Sequence, residues 1–291
     1  MAIAFESKQE ATASAATSIT VTKPTSLAVG DLMVAFTITT DPVVLTHSLH
    51  AGWTSVVDTR NRYNQSNRYM AFRGQFKIAD SADVAASDFT FDVTGGTSDY
   101  IGGAIMRFTG NAIGTPLGDS DVSDQLNSAT PSTWEGDSPT ITPTNAESMI
   151  LMFACGFQGA SAMSSYAIAT DDPSWTESFD TTYNDFVMAC GYAVRTEITA
   201  TGDPSFTNGG DATTDSGVIL ASFNPILNAT VTPATLGLND AVTAPTIAGG
   251  SVVAPDTVTF ASAVPAPTAA QADWNKRARS GTGGWTARSK S

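Results

Sequence analysis

The chain has little charge, few cations, only two cysteines and two histidines, and no long apolar run. Of its 291 residues 14% are charged, and 14 Lys and Arg face 28 Asp and Glu for a net charge of -14. That balance argues against wrapping nucleic acid on the body, because phosphate binding needs a cationic footprint. The longest apolar block, MILMFACGF, is too short to cross a bilayer as a helix. The start, MAIAFESKQEATASAATSITV, has no basic segment leading into an apolar stretch, so no secretory signal is expected. The expectation is a soluble protein made in a cytoplasm, with no membrane partner. Cys155 and Cys190 lie in FACGF and MACGY, where small buried hydrophobes are expected. A bridge between them stays open if their strands are neighbours. Two thiols and two histidines are too few for a structural zinc site, and no cofactor is expected.

A long 3.6-residue periodicity is also missing. SKQEATASAATS has helical propensity, but its apolar positions are mostly Ala, which bury little. What is present is Ala, Thr, Ser and Gly, with short alternating or fully apolar runs broken by Gly, Pro, Asn and Asp. This pattern predicts an all-β protein.

The runs recur. GDLMVAF at 30–36 is answered by ESMILMF at 147–153, and WTSVVDT at 53–59 by WTESFDT at 175–181. YMAFRGQFKI at 69–78 is answered by FVMACGYAV at 186–194, and DFTFDV at 88–93 by DPSFT at 203–207. IGGAIMRF at 101–108 is answered by SGVILASF at 216–223. The same order in both places predicts a duplication, with related halves over 1–112 and 113–226 forming one large jelly-roll-like β-sandwich or two packed ones. Between the halves, 110–140 is polar and turn-rich and reads as a long connection with a strand edge near Trp134.

After residue 226 the pattern changes. TVTPATLGLNDAVTAPT at 230–246 aligns with VVAPDTVTFASAVPAPT at 252–268, and the regular prolines exclude central strands. Residues 227–270 therefore read as an extended arm. The last segment, 271–291, holds WNKRARS and WTARSKS, two copies of a Trp-plus-cation unit. Five of the 14 cations sit in 274–291, leaving nine against 28 acids in the rest of the chain. Trp274 and Trp285, with Arg277, Arg279, Arg288 and Lys290, are expected to anchor the arm on an acidic protein surface rather than on nucleic acid.

In the body, GDLMVAF, AGWT, YMAFRGQFKIA, DFTFDV and IGGAIMRFTG resemble a β-sandwich module of structural proteins of tailed bacteriophages. That module runs through a "GDLLVA" strand, "P-A-GWT", an aromatic strand, a "YTF" strand and a Gly/Ala-rich strand, then a looser second copy. The Pro-spaced arm and terminal Trp repeats are similar to extensions of minor virion proteins. His50 stands where the module has Pro, which leaves the turn intact. The resemblance implies a virion location, tail-associated, in a fibre, or decorating the capsid. It also implies other virion proteins as partners and homo-oligomers, with a trimer as the working expectation. It supplies no catalytic residues.

Other candidates come from the residues themselves. GFQGASAMSS lacks the Gly-x-Ser-x-Gly elbow, only His47 and His50 could serve as a base, and no enzymatic activity is expected. Arg60, Arg62, Tyr63, Arg68 and Tyr69 gather cations and rings in one stretch, either as an interface or as a turn whose cations meet nearby acids. Asp119, Asp121 and Asp124 offer hard oxygens that suit Ca2+, but without the EF-hand glycine and distal Glu a solvated acidic loop is favoured. Trp53 and Trp175, at equivalent places, read as packing residues. The alternative function from another class is an adhesion module recognising a host-surface glycan.

Overall fold

The structure, a computed structural model, describes residues 3–63, 68–125, 139–157, 163–170, 173–208 and 215–226. The arm, the terminal Trp units, Trp134 and Ser161 lie outside these residues. The described chain is nearly all β, and its one helix, α1 (Ser81–Ala85), is a single turn capped by Asp80. No helix of the described residues is long and apolar enough to cross a membrane.

Eight strands come from the first half. They are β1 (Ala4–Ala16), β2 (Ser18–Thr22), β3 (Leu32–Asp41), β4 (Thr46–His47), β5 (Thr54–Tyr63), β6 (Tyr69–Ile78), β7 (Asp88–Thr94) and β8 (Ser98–Thr109). Seven follow: β9 (Leu117–Gln125), β10 (Ser148–Phe157), β11 (Met163–Ile168), β12 (Thr176–Tyr183), β13 (Phe186–Arg195), β14 (Pro204–Asn208) and β15 (Asp215–Phe223). One five-stranded sheet has the order β1-β8-β3-β6-β5, and the other, read from its β9 edge, β9-β15-β10-β13-β12. Each strand occupies the place of its repeat partner, so the duplication is topological as well as sequential. All ladders are antiparallel.

Two-sided burial explains the fully apolar strands. Along β3, Leu32, Val34, Phe36 and Ile38 face a core shared with Leu151, Phe153, Cys155 and Phe157 of β10. Met33 and Ala35, on the other side of β3, pack under β2 and β7, against Ile19, Val21, Phe89 and Phe91. On β10 the outward set is Ile150, Met152 and Ala154, packed beneath Met163, Tyr166 and Phe206. The molecule is thus layered, with the sheet β2-β7-β4 outside one large sheet and β11-β14 outside the other. A strand covered on both faces has no solvent side, and period-two alternation gives way to continuous apolar character.

At the centre, Phe36 and Phe153, matching residues of the two repeats, stack at 4.4 Å with planes 1° apart. Glycines allow close approach on either side of this pair. A Cβ on Gly217 would lie 2.5 Å from the Phe72 ring, and one on Gly102 would lie 2.7 Å from the Phe186 ring. These glycines are themselves repeat partners, so each half receives an aromatic ring from the other.

Two edge segments show how weak local signals resolve, and only the second departs from expectation. SKQEATASAATS forms most of β1, whose Ala11, Ala13 and Ala16 pack lightly on the core under β2. Residues 117–125, expected in a connection, are edge strand β9, the counterpart of β1.

Gly217→Ala should destabilise the fold by about 1–3 kcal/mol through overpacking against Phe72. Adding Phe72→Leu should recover part of that loss, as read by urea denaturation.

Candidate functional site

The duplicated tryptophans give the two halves different outer faces. In the first half, Trp53 N–H donates to the His50 carbonyl at 3.0 Å, closing a turn. Gly52, at φ +79°, takes a backbone conformation open to glycine and disfavoured for other residues. The turn places Trp53, 5% exposed, edge-on to Phe89 at 5.8 Å and Phe91 at 5.6 Å. His50 closes the cluster, its ring 6.0 Å from Trp53 and its N–H donating to Gln75 Oε1 at 2.9 Å. This position is sealed.

The second half is open at the matching place. Trp175 packs against the outer core as expected, but it remains only half-buried, tilted at 32° beside Tyr166 with ring centroids 6.2 Å apart. The alignment of DFTFDV with DPSFT puts Pro204 where the first half has Phe89, so one sealing ring is replaced by a smaller residue. Two grooves flank Pro173 and Ser174. One, of about 520 Å3, is lined by Ser164, Ser165, Tyr166, Trp175 and Glu177. The other, of about 530 Å3, includes Thr176, Tyr192, Arg195 and Glu197.

Tyr166 reaches this position because Gly191 on β13 leaves room beneath its ring, where a Cβ would lie 2.8 Å from the ring carbons. Its hydroxyl has no hydrogen-bond partner among the described residues. Burial, then Cys190 and the acids of β12, push its phenol well above the ordinary tyrosine range. Partial burial and neighbouring Asp180 raise the Glu177 carboxyl, opposed by Lys8. Asp180 is also raised, by burial first, although Met163 N–H donates to its Oδ2 at 2.7 Å. The grooves therefore combine aromatic faces, hydroxyls and a carboxylate. Trp175 was legible in the sequence only as packing; the Phe89-to-Pro204 change was the signal that its face is open.

The basic stretch forms the β5–β6 hairpin, and two of its cations meet acids of the other half. Arg60 Nε donates to Asp124 Oδ1 on β9 at 2.6 Å, and Arg68 pairs with Asp99 and with Asp185 at 3.3 Å. Tyr69 is half-buried on β6, while the side chains of Arg62 and Tyr63 lie outside the described set. The hairpin thus clamps the two halves together.

The carboxylates considered for Ca2+ do not converge. On β9, Asp119 and Asp121 accept from the backbone N–H of Thr142 at 2.7 Å and Thr140 at 2.9 Å, holding that segment beside the strand. Asp124, at odd spacing from Asp121, points to the opposite face and pairs with Arg60. Strand alternation is the physical reason, and no group of three metal-ligating side chains occurs among the described residues. The loop expectation for these residues is corrected likewise, since they lie in a strand.

Cys155 and Cys190 are on neighbouring strands but out of register, opposite Met188 and Phe153, and both thiols are free. Burial pushes both up in pKa, so they behave as hydrophobes. His47 is buried between β4 and β6, its Nε2–H donating to the Ala71 carbonyl at 3.1 Å, with Thr39 Oγ1 at 3.2 Å. Burial, with the Arg73 cation adding to it, lowers its pKa to about 4, against the Ala71 hydrogen bond. Neither histidine stands beside the groove serines.

His47 has a pH signature. Its folded pKa lies below the unfolded value of 6.5, so between these limits the unfolded chain binds more protons and stability falls as pH drops from about 6.5 to about 4. Thermal melts across that window should show a shallower slope for His47→Gln than for the native chain, the difference amounting to a few kcal/mol.

No family model, curated protein or solved structure gives a significant match to this chain.

Proposed function

We propose that the protein is a non-enzymatic structural or accessory component of a tailed bacteriophage virion, docked through its C-terminal arm onto neighbouring virion subunits. One observation carries the reading: the segments that bear the resemblance to the phage module are the framework of the first large sheet and its cover. GDLMVAF supplies β3, YMAFRGQFKIA β6, DFTFDV β7 and IGGAIMRFTG β8, while AGWT makes the Gly52 turn. Their counterparts build the second sheet in the same strand order.

The polar groups considered for chemistry also support a structural role. Arg60, Arg68 and Asp124 bridge the two halves, His47 is buried, and Asp119 and Asp121 hold backbone. The arm's two Trp-plus-cation units, eleven residues apart in the sequence, would gain affinity through effective concentration. Partners are acidic surfaces of other virion proteins or further copies of this chain, assembled in the host cytoplasm, with a trimer as the proposed assembly. A tail-associated or fibre position is placed ahead of capsid decoration.

Deleting 271–291 should leave the β-rich circular dichroism spectrum and melting temperature of the body unchanged. In gradient-purified particles the full chain should be present and the truncated chain absent. Incorporation of both at equal copy number would sink the anchor.

A further inference from the structure

We propose that the groove between β11 and the Pro173–Trp175 segment binds a neutral carbohydrate, with Trp175 and Tyr166 as its aromatic wall and Ser164, Ser165 and Glu177 as its hydrogen-bonding groups. The first support is internal. The same tryptophan position is closed in one half by His50, Phe89 and Phe91, and in the other it borders an open groove of about 520 Å3. Packing alone is met by the closed arrangement, so the open copy calls for an occupant.

The chemistry of the lining selects the class. A sugar ring presents an apolar C–H face and a rim of hydroxyls. The groove offers the half-buried Trp175 ring and the buried Tyr166 ring next to two serine hydroxyls and a carboxylate, which can accept from such a rim. The Tyr166 hydroxyl, on a residue only 7% exposed, has no partner among the described residues. That hydroxyl is itself closed off from solvent, so Tyr166 serves the groove through its ring. An anionic ligand is disfavoured by Glu177 and by a body that carries 25 acids against nine cations over residues 1–226. The second groove, across Pro173 and Ser174, gives room for more than one sugar unit and adds Tyr192. Ser164, Ser165, Tyr166 and Glu177 lie on strands β11 and β12, which fix these side chains before binding and lower the ordering cost.

The inference does not rest on the virion reading, since every residue in it lies in the body and its test leaves 271–291 intact. Full-length protein is applied to an array of neutral oligosaccharides, and the tightest binder is titrated calorimetrically. Trp175→Ala should weaken binding by about tenfold or more. Glu177→Gln, at an exposed position, should weaken it by roughly threefold to tenfold with an unchanged melting temperature. A silent array overturns the proposal. So does unchanged affinity in both variants, or capture of polypeptides in place of sugars.

Discussion

The contact between the two five-stranded sheets is the constraint on which the rest of the structure depends. Phe36 and Phe153 stack face to face at its centre, and Gly102 and Gly217 each accept a ring from the opposite half. Close approach over such an area requires inner faces without charge. The polar groups that join the halves therefore stand at the sheet margins, Arg60 with Asp124 at one edge, Glu10 accepting from Thr181 at the other, and Arg68 with Asp185 at the β5–β6 hairpin. A low charged fraction follows from this layering, because the central strands have no solvent face on which charge could be placed.

The outer layers are under a weaker constraint. Each has only to cover one face of its large sheet, and the two halves do so differently. The first uses three strands and an aromatic cluster closed by His50; the second uses two strands and leaves Trp175 at a groove. Divergence is greatest where it does not disturb the shared core. Functional difference between the halves is therefore to be sought on the outer faces, not at the sheet-to-sheet contact.

The sequence made the inner architecture legible for the same reason. LMVAF, MILMF and GVILASF are continuous apolar runs because they are buried on both sides, and their recurrence in order exposes the duplication. The edge strands left no such trace. β1 is rich in Ala and polar residues and could pass for a helix, and β9 is acidic enough to read as a loop. Both are strands because the neighbouring strand offers unpaired backbone groups, which composition does not record. The site was legible in part. Trp175 could be found by repeat alignment, with Glu177 two residues on in the same unit, but their partner Tyr166 comes from another strand and has no sequence spacing to mark it. The Asp119–Asp124 set failed as a cluster because strand alternation sends Asp121 and Asp124 to opposite faces.

The duplication also bears on how a rigid groove can coexist with a plain fold. Tyr166 is positioned by Gly191 beneath it, and Gly191 lies on β13, the strand that sends Phe186 into the first half. The groove wall and the sheet-to-sheet contact thus share one strand, with alternate residues serving each. Loosening the central contact would be felt at the Tyr166 ring, whereas changes at Ser164 or Ser165 on the exposed face of β11 touch no core residue position. A ligand surface built in this way can vary its hydroxyl groups while its aromatic wall stays fixed by the core.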